Sequence, residues 1–98
     1  MTKFGKLIDT DLPILFGFYK KPYPKADALG LVLDETSEYF KGRVKIYRIE
    51  ATENPKLMQV LKVESFPSFV IYDKGKMVWR HKGDATPSEL IQALNPYL

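Results

Sequence analysis

The chain has 98 residues, of which 45% are hydrophobic and 28% are charged. That length supports one small hydrophobic core, so we predict a single domain over residues 1–98. The net charge of +3 is too small by itself to indicate nucleic-acid binding. No apolar run approaches the length of about 18 residues that a membrane span needs. Neither a nucleic acid nor a membrane is therefore expected as a partner.

The sequence contains no cysteine, and its only histidine is His81. The missing thiols exclude disulfides, thiolate nucleophiles and thiolate metal sites. A single histidine excludes a multi-histidine zinc site within one chain, so we expect no metal and no cofactor. Residues 1–11 lack the apolar segment of a secretory signal. This favours a cytoplasmic location, with a processed exported form as the alternative.

The first predicted strand covers residues 13–19, an almost unbroken apolar run that suits a central strand buried on both faces. A proline-punctuated basic loop follows it. A helix is predicted over 24–40, because apolar or small side chains then recur at spacings of three and four residues. The members of this stripe are Ala26, Leu29, Leu33, Ser37 and Phe40.

The second half alternates strands and helices. Residues 43–50 alternate apolar and polar side chains, which predicts a strand. Asn54-Pro55 predicts a helix start, with the Asn54 side chain as the N-cap. Strands are predicted over 68–72 and 76–82, joined by a tight turn. Thr86-Pro87-Ser88-Glu89 has the pattern of a capping box, which opens the last helix.

The order strand, helix, strand, helix, hairpin, helix predicts an α/β domain. The first two strands are expected to be parallel with a right-handed crossover, and the hairpin adds two antiparallel strands. Helices then cover both faces of a mixed sheet. On the last strand, simple alternation places Met77, Trp79 and His81 on one face.

Several segments give this order a more specific resemblance. They are Lys41-Gly42-Arg43-Val44, Glu53-Asn54-Pro55, Phe66-Pro67-Ser68, Asp73-Lys74-Gly75-Lys76 and Lys82-Gly83-Asp84. Together they resemble the thioredoxin family over about residues 12–95. The resemblance implies a thioredoxin-like fold with a mixed four- or five-stranded sheet, a shortened N-terminus and a cis peptide bond at Pro67. It also implies that Pro67 faces the family's active site.

The family's cysteine motif is missing from this chain. Its Cys-x-x-Cys positions fall on Tyr23, Pro24, Lys25 and Ala26. Tyr23 stands in the place of the attacking cysteine and Ala26 in that of the resolving cysteine. Thiol–disulfide exchange requires a thiolate that attacks sulfur, and neither a phenol nor a methyl group replaces it.

The auxiliary groups differ as well. The buried acid that assists exchange falls on Gly17, and Arg48 stands where the family usually has the lysine that pairs with this acid. The loss of the whole constellation predicts a naturally redox-inactive member with no catalytic residues and no enzyme activity.

A groove beside the former active site is the leading candidate for function, as a peptide- or protein-binding module of the chaperone or assembly type. The residues expected to form it are Tyr19, Tyr23, Phe66 and Pro67. The residues expected to form a basic rim are Lys20, Lys21 and Lys25. Such a rim favours an acidic or phosphorylated partner.

Other interpretations remain open at this point. Tyr19 and Phe66 also suit core positions, the lysines suit a solvated loop, and Tyr23 between two prolines suits a rigid plug in the groove. One alternative function is a glutathione-binding or glutathione-dependent enzyme of the same fold, in which the Tyr23 hydroxyl activates the thiol. Another is a structural homodimer through the edge of the strand 43–50, unless residues 3–8 cover that edge. The expected state is a monomer or a weak homodimer.

Overall fold

The structure is a computed structural model that describes residues 3–21 and 26–98. The helices of the described part are α1 (Lys3–Ile8), α2 (Ala26–Phe40), α3 (Pro55–Leu61) and α4 (Pro87–Leu94). Its strands are β1 (Ile14–Tyr19), β2 (Lys45–Glu50), β3 (Ser68–Asp73) and β4 (Lys76–Lys82), and two short 3-10 turns cover Ala51–Glu53 and Asn95–Tyr97. Within these residues, no helix has the length and apolar character that a membrane span requires.

The four strands form one mixed sheet in the order β2-β1-β3-β4. β1 pairs in parallel with β2 and antiparallel with β3, and β3 pairs antiparallel with β4. The α/β architecture predicted from the order of elements is thus confirmed, with four strands in the sheet. The peptide bond between Phe66 and Pro67 is cis, as the resemblance implies.

Two core layers lie on opposite faces of the sheet, because successive residues of β1 point to opposite sides. Leu15 contributes to the α2/α4 core, which packs the sheet against helices α2 and α4. Phe16 and Phe18 contribute to the α3 core, which packs the other face against α3 and against Ile8 of α1. Each of these buried side chains stabilises the fold by about 1.5–3 kcal/mol relative to its exposed state.

The buried stripe of α2 differs by one position from the prediction. Thr36 is fully buried, whereas Ser37 is exposed. The stripe therefore continues from Leu33 through Thr36 to Phe40, which keeps the alternating spacing of four and three residues on one helix face. The Thr36 hydroxyl donates to the Val32 carbonyl at 2.8 Å, and this bond removes the cost of burying it.

Met77 and Trp79 do not share a face, so that prediction is wrong. The pairing of β3 with β4 shifts by one residue between Ile71 and Tyr72, as at a β-bulge. Trp79 consequently packs on the α2/α4 core and Met77 on the α3 core. An irregularity of this kind breaks simple alternation, and the sequence alone gives no sign of it. His81 does stack on Trp79, with ring centroids 5.7 Å apart and an interplanar angle of 5°.

The two predicted helix starts have different outcomes. Pro55 opens α3 as predicted, but the Asn54 side chain does not cap that helix. Its Nδ2 donates instead to the Glu50 carbonyl at 2.9 Å, because a 3-10 turn lies between β2 and α3. The capping box of α4 is confirmed, with reciprocal hydrogen bonds between Thr86 and Glu89. These bonds, first that of the Thr86 backbone, lower the pKa of the Glu89 carboxyl.

Candidate functional site

The step from Phe66 to Pro67 is held firmly against the sheet. Pro67 is buried, and its carbonyl accepts a hydrogen bond from the Gly83 N–H at 2.8 Å. Gly83 has a φ of 91°, a conformation that glycine adopts without a steric penalty. On the other side, the Ser68 hydroxyl donates to the Ser65 carbonyl at 2.6 Å. These bonds fix the strand end at which the resemblance places the family's active site.

A mainly apolar groove of about 310 Å³ lies between this step and helix α2. Its lining residues are Ala28, Leu29, Val32, Pro67, Phe69, Asp84 and Ala85. The side chains of Leu29 and Phe69 are almost fully buried, so they form the floor of the groove. Asp84 is exposed and is the only titratable side chain among the described lining residues. An apolar floor with a single exposed carboxylate suits binding better than acid–base catalysis, which needs positioned proton donors and acceptors.

Pro67 lines this groove, whereas the Phe66 side chain lies elsewhere. It is half-buried and packs against the α3 core, on the opposite face of the sheet. The Phe66 side chain therefore has a packing role. The backbone of Phe66, in contrast to its side chain, is without a contact of this kind: neither its N–H nor its C=O hydrogen-bonds to any residue in the described ranges.

Tyr19 also has a packing role. Its side chain is partly buried against the α2/α4 core, and the Arg48 guanidinium lies 5.5 Å from its ring centroid. This distance is that of a cation–π contact. Lys20 and Lys21 follow directly and are exposed at the end of β1. Tyr23, Pro24 and Lys25 lie outside the described residues, and Ala26 is the first residue of α2.

The space that the resemblance assigns to a buried acid is filled by leucine side chains. Gly17 is buried, and a Cβ atom placed on it would lie 2.9 Å from Leu33 Cδ1 and 3.6 Å from Leu29 Cδ1. Arg48 lies opposite Gly17 in the sheet but extends over Tyr19 instead. The described residues thus offer an apolar environment where a thiol-exchange site would have its proton-transfer group.

Glu50 is a buried acid that sequence reasoning missed. It ends β2 opposite Tyr19, is only 5% exposed, and its carboxylate accepts hydrogen bonds from the Thr52 backbone N–H and hydroxyl. The Thr52 hydroxyl lowers the pKa of Glu50 most, Lys21 lowers it slightly, and burial acts in the opposite direction. The signal in the sequence was the acid-x-threonine pattern at a strand end, where an acid can cap the following turn.

The comparison with known proteins decides the family. Residues 2–96 match the sequence model of the thioredoxin family. The chain belongs to the thioredoxin family. Thioredoxin 1 of Nostoc sp. is 25% identical over 93 residues, which cover 95% of this chain and 87% of that protein. The thioredoxin of Synechocystis sp. is 27% identical over 92 residues, which cover 94% and 86% of the two chains.

A longer relative and a solved structure agree with this membership. Thioredoxin Y1 of Arabidopsis thaliana, a chloroplastic protein, is 26% identical over 94% of this chain, but the match spans only 54% of that protein. The crystal structure of mitochondrial thioredoxin 3 from Saccharomyces cerevisiae, in its oxidized form, superposes with a TM-score of 0.84. That match covers 96% of this chain and 87% of the yeast chain at 19% identity, so it supports the fold alone.

The contact between Thr52 and Glu50 generates the first prediction. Because hydrogen bonds lower the Glu50 pKa below its ordinary value of 4.5, their stabilisation is complete above about pH 4.5. It is lost as the pH falls through the lowered pKa of the folded state. Thr52→Val should raise the Glu50 pKa, as measured by NMR titration of the carboxyl carbon. The matched variant Thr86→Val should raise the Glu89 pKa and leave Glu50 unchanged, and an unmoved Glu50 in Thr52→Val would contradict the assignment.

The packing at Gly17 generates the second prediction. Gly17→Asp places a carboxylate against Leu33 and should lower the free energy of unfolding at pH 7 by about 3–5 kcal/mol, because the buried charge has no built partner. Gly17→Ala, the steric control, should cost about 1–3 kcal/mol. Urea denaturation at several pH values separates the two effects. The loss of free energy of unfolding in Gly17→Asp should become smaller as the pH falls and the carboxyl group is protonated. The loss in Gly17→Ala should not change with pH.

Proposed function

We propose that this member of the thioredoxin family is a redox-inactive binding module that holds an extended protein segment in the groove beside Pro67. The observation that carries the proposal is the combination of an apolar groove with a chain free of cysteine. The backbone N–H and C=O of Phe66, the residue before Pro67, have no hydrogen-bond partner in the described ranges. A peptide that lies along this step pairs with those groups as an added strand does.

The groove selects for an apolar side chain next to the peptide backbone. Leu29 and Phe69 provide the floor and Val32 one wall, so the bound side chain leaves water and gains about 25 cal/mol for each Å² of apolar surface buried. Lys20 and Lys21 stand exposed at the end of β1, and they favour carboxylates or phosphates elsewhere in the same segment. The favoured ligand is an extended segment with an apolar anchor and acidic neighbours.

The absence of redox activity is tested in an assay in which dithiothreitol reduces insulin. The rate of reduction is measured as the increase in turbidity when the released insulin chains precipitate. The protein has no thiolate to attack a disulfide, so it should not accelerate the reaction above the rate with dithiothreitol alone. A cysteine-containing thioredoxin serves as the positive control. Acceleration by this chain would contradict the proposal.

The groove is tested with peptides selected from a phage library for binding to the wild-type protein. We expect the selected peptides to contain an apolar residue and acidic neighbours. Val32→Glu places a charge on the groove wall, and the resulting loss of about 1.4 kcal/mol or more should weaken binding about tenfold. Val60→Glu is the matched control, because Val60 is 74% exposed on α3 and lies outside the groove. Equal affinity of both variants would place the binding surface elsewhere.

A further inference from the structure

The outer edge of β2 carries backbone groups that no described residue uses. The Lys45 N–H donates to the Pro13 carbonyl at 3.0 Å, so the N–H and C=O of Lys45 face β1. The direction of these groups alternates along a strand, so those of Tyr47 also face β1. The N–H and C=O of Ile46 and Arg48 therefore point away from β1. β2 is the last strand of the sheet on this side, within residues 3–21 and 26–98.

This edge is a regular template, unlike the edge at β4. β2 pairs with β1 in an unbroken register from Lys45 to Glu50. The pairing of β4 with β3 is interrupted by a bulge, and a bulge protects a sheet edge from further pairing. Between the described residues of α1 and β2 there are few contacts, and Ile8 and its neighbours line a cleft with the β3–β4 turn at Lys74 and Gly75.

The charge along the β2 edge is positive. The side chains of Lys45 and Arg48 are exposed, and neither forms an ion pair with any residue whose side chain is described. The only acid of the strand, Glu50, is buried and accepts its hydrogen bonds from Thr52. The contact with the Tyr19 ring holds the Arg48 side chain in place, so little conformational entropy is lost when it binds a carboxylate.

Self-pairing of two copies is disfavoured at the centre of this edge. A two-fold antiparallel pair places one residue of the strand opposite its own copy. If that residue is Arg48, two guanidinium groups face each other, and if it is Tyr47, the two Arg48 side chains are diagonal neighbours. If it is Ile46, the two Lys45 side chains are diagonal neighbours. Like charges at such positions destabilise a sheet, so the registers centred on these three residues oppose self-pairing.

We infer that the β2 edge binds an acidic, extended segment of another protein as an additional strand of the sheet. Its backbone would pair with Ile46 and Arg48, and its carboxylates would neutralise Lys45 on one face and Arg48 on the other. A cavity of about 310 Å³ between α2 and β2 receives a side chain of the added strand beside Arg48. Asp34 lies on the α2 wall of this cavity and repels a carboxylate. A carboxylate of the added strand is therefore favoured only at the end of the cavity next to Arg48.

The test uses a fluorescein-labelled peptide in which pairs of glutamates alternate with pairs of valines, so that carboxylates lie on both faces of the added strand, and a control peptide with lysines in place of the glutamates. Fluorescence anisotropy should show binding of the acidic peptide alone. In amide NMR spectra, the acidic peptide should shift the signals of Ile46 and Arg48 more than those of β4. Failure of the acidic peptide to bind, or equal binding of both peptides, would overturn the inference.

Two variants of β2 separate the backbone contribution from that of charge. Ile46→Pro removes an outward N–H without breaking a bond to β1, because edge positions of this kind tolerate proline, and it should weaken binding about tenfold. Arg48→Glu should weaken binding about five- to tenfold through charge reversal. Lys82→Glu, the same charge change on β4, should have little effect. Circular dichroism of each variant verifies that the fold is retained.

The remaining outcomes distinguish this edge from the groove and from self-association. Because the groove also favours an apolar anchor with acidic neighbours, the peptide titrations are made in the Val32→Glu background, in which the remaining binding of the acidic peptide belongs to the β2 edge, and the two sites succeed or fail independently. Binding that is insensitive to both Ile46→Pro and Arg48→Glu would overturn the inference. A dimer in sedimentation velocity that Ile46→Pro dissociates would also overturn it, because the edge would then hold a second copy of the chain.

Discussion

The burial of β1 on both faces is the constraint on which the rest of the structure depends. Leu15 packs towards α2 and α4, and Phe16 and Phe18 pack towards α3, so one strand organises both core layers. β1 pairs in parallel with β2 and antiparallel with β3. The C-terminal ends of β1 and β2 and the start of β3 therefore lie at the same edge of the sheet, from which the chain continues to α2. The groove at Pro67 is formed at this junction, and its position follows directly from the central position of β1.

The chain retains the thioredoxin scaffold while its local chemistry is different. Where the resemblance places a buried acid, Gly17 lets Leu33 pack directly against the strand. The buried carboxylate of the described part is instead Glu50, which is bound by Thr52 and stabilises a turn. Ionised and hydrogen-bonded in this way, Glu50 has a structural role. Stabilising interactions have thus replaced the groups that serve proton transfer, which agrees with a binding function.

The two proposed binding surfaces differ in physical character. The groove at Pro67 is apolar and concave, so it selects a side chain by burial. The edge of β2 is regular and positively charged, so it selects a backbone conformation and acidic side chains.

The sequence by itself determined the fold and the absence of thiols. The apolar run of β1, the proline at the start of α3 and the capping box at Thr86 are local patterns with local physical causes, so the elements could be predicted from them. The absence of cysteine likewise needs no structure to interpret. The position of Pro67 in the groove could also be predicted, because the resemblance carries it residue by residue.

Only the tertiary structure decided which side chains face which surface. The Phe66 side chain packs on the α3 core, the bulge between β3 and β4 separates Met77 from Trp79, and Glu50 is buried rather than exposed. Each outcome depends on the pairing of strands that are distant in sequence. A shift of one residue in that pairing moves a side chain to the opposite face, and no local pattern in the sequence records such a shift.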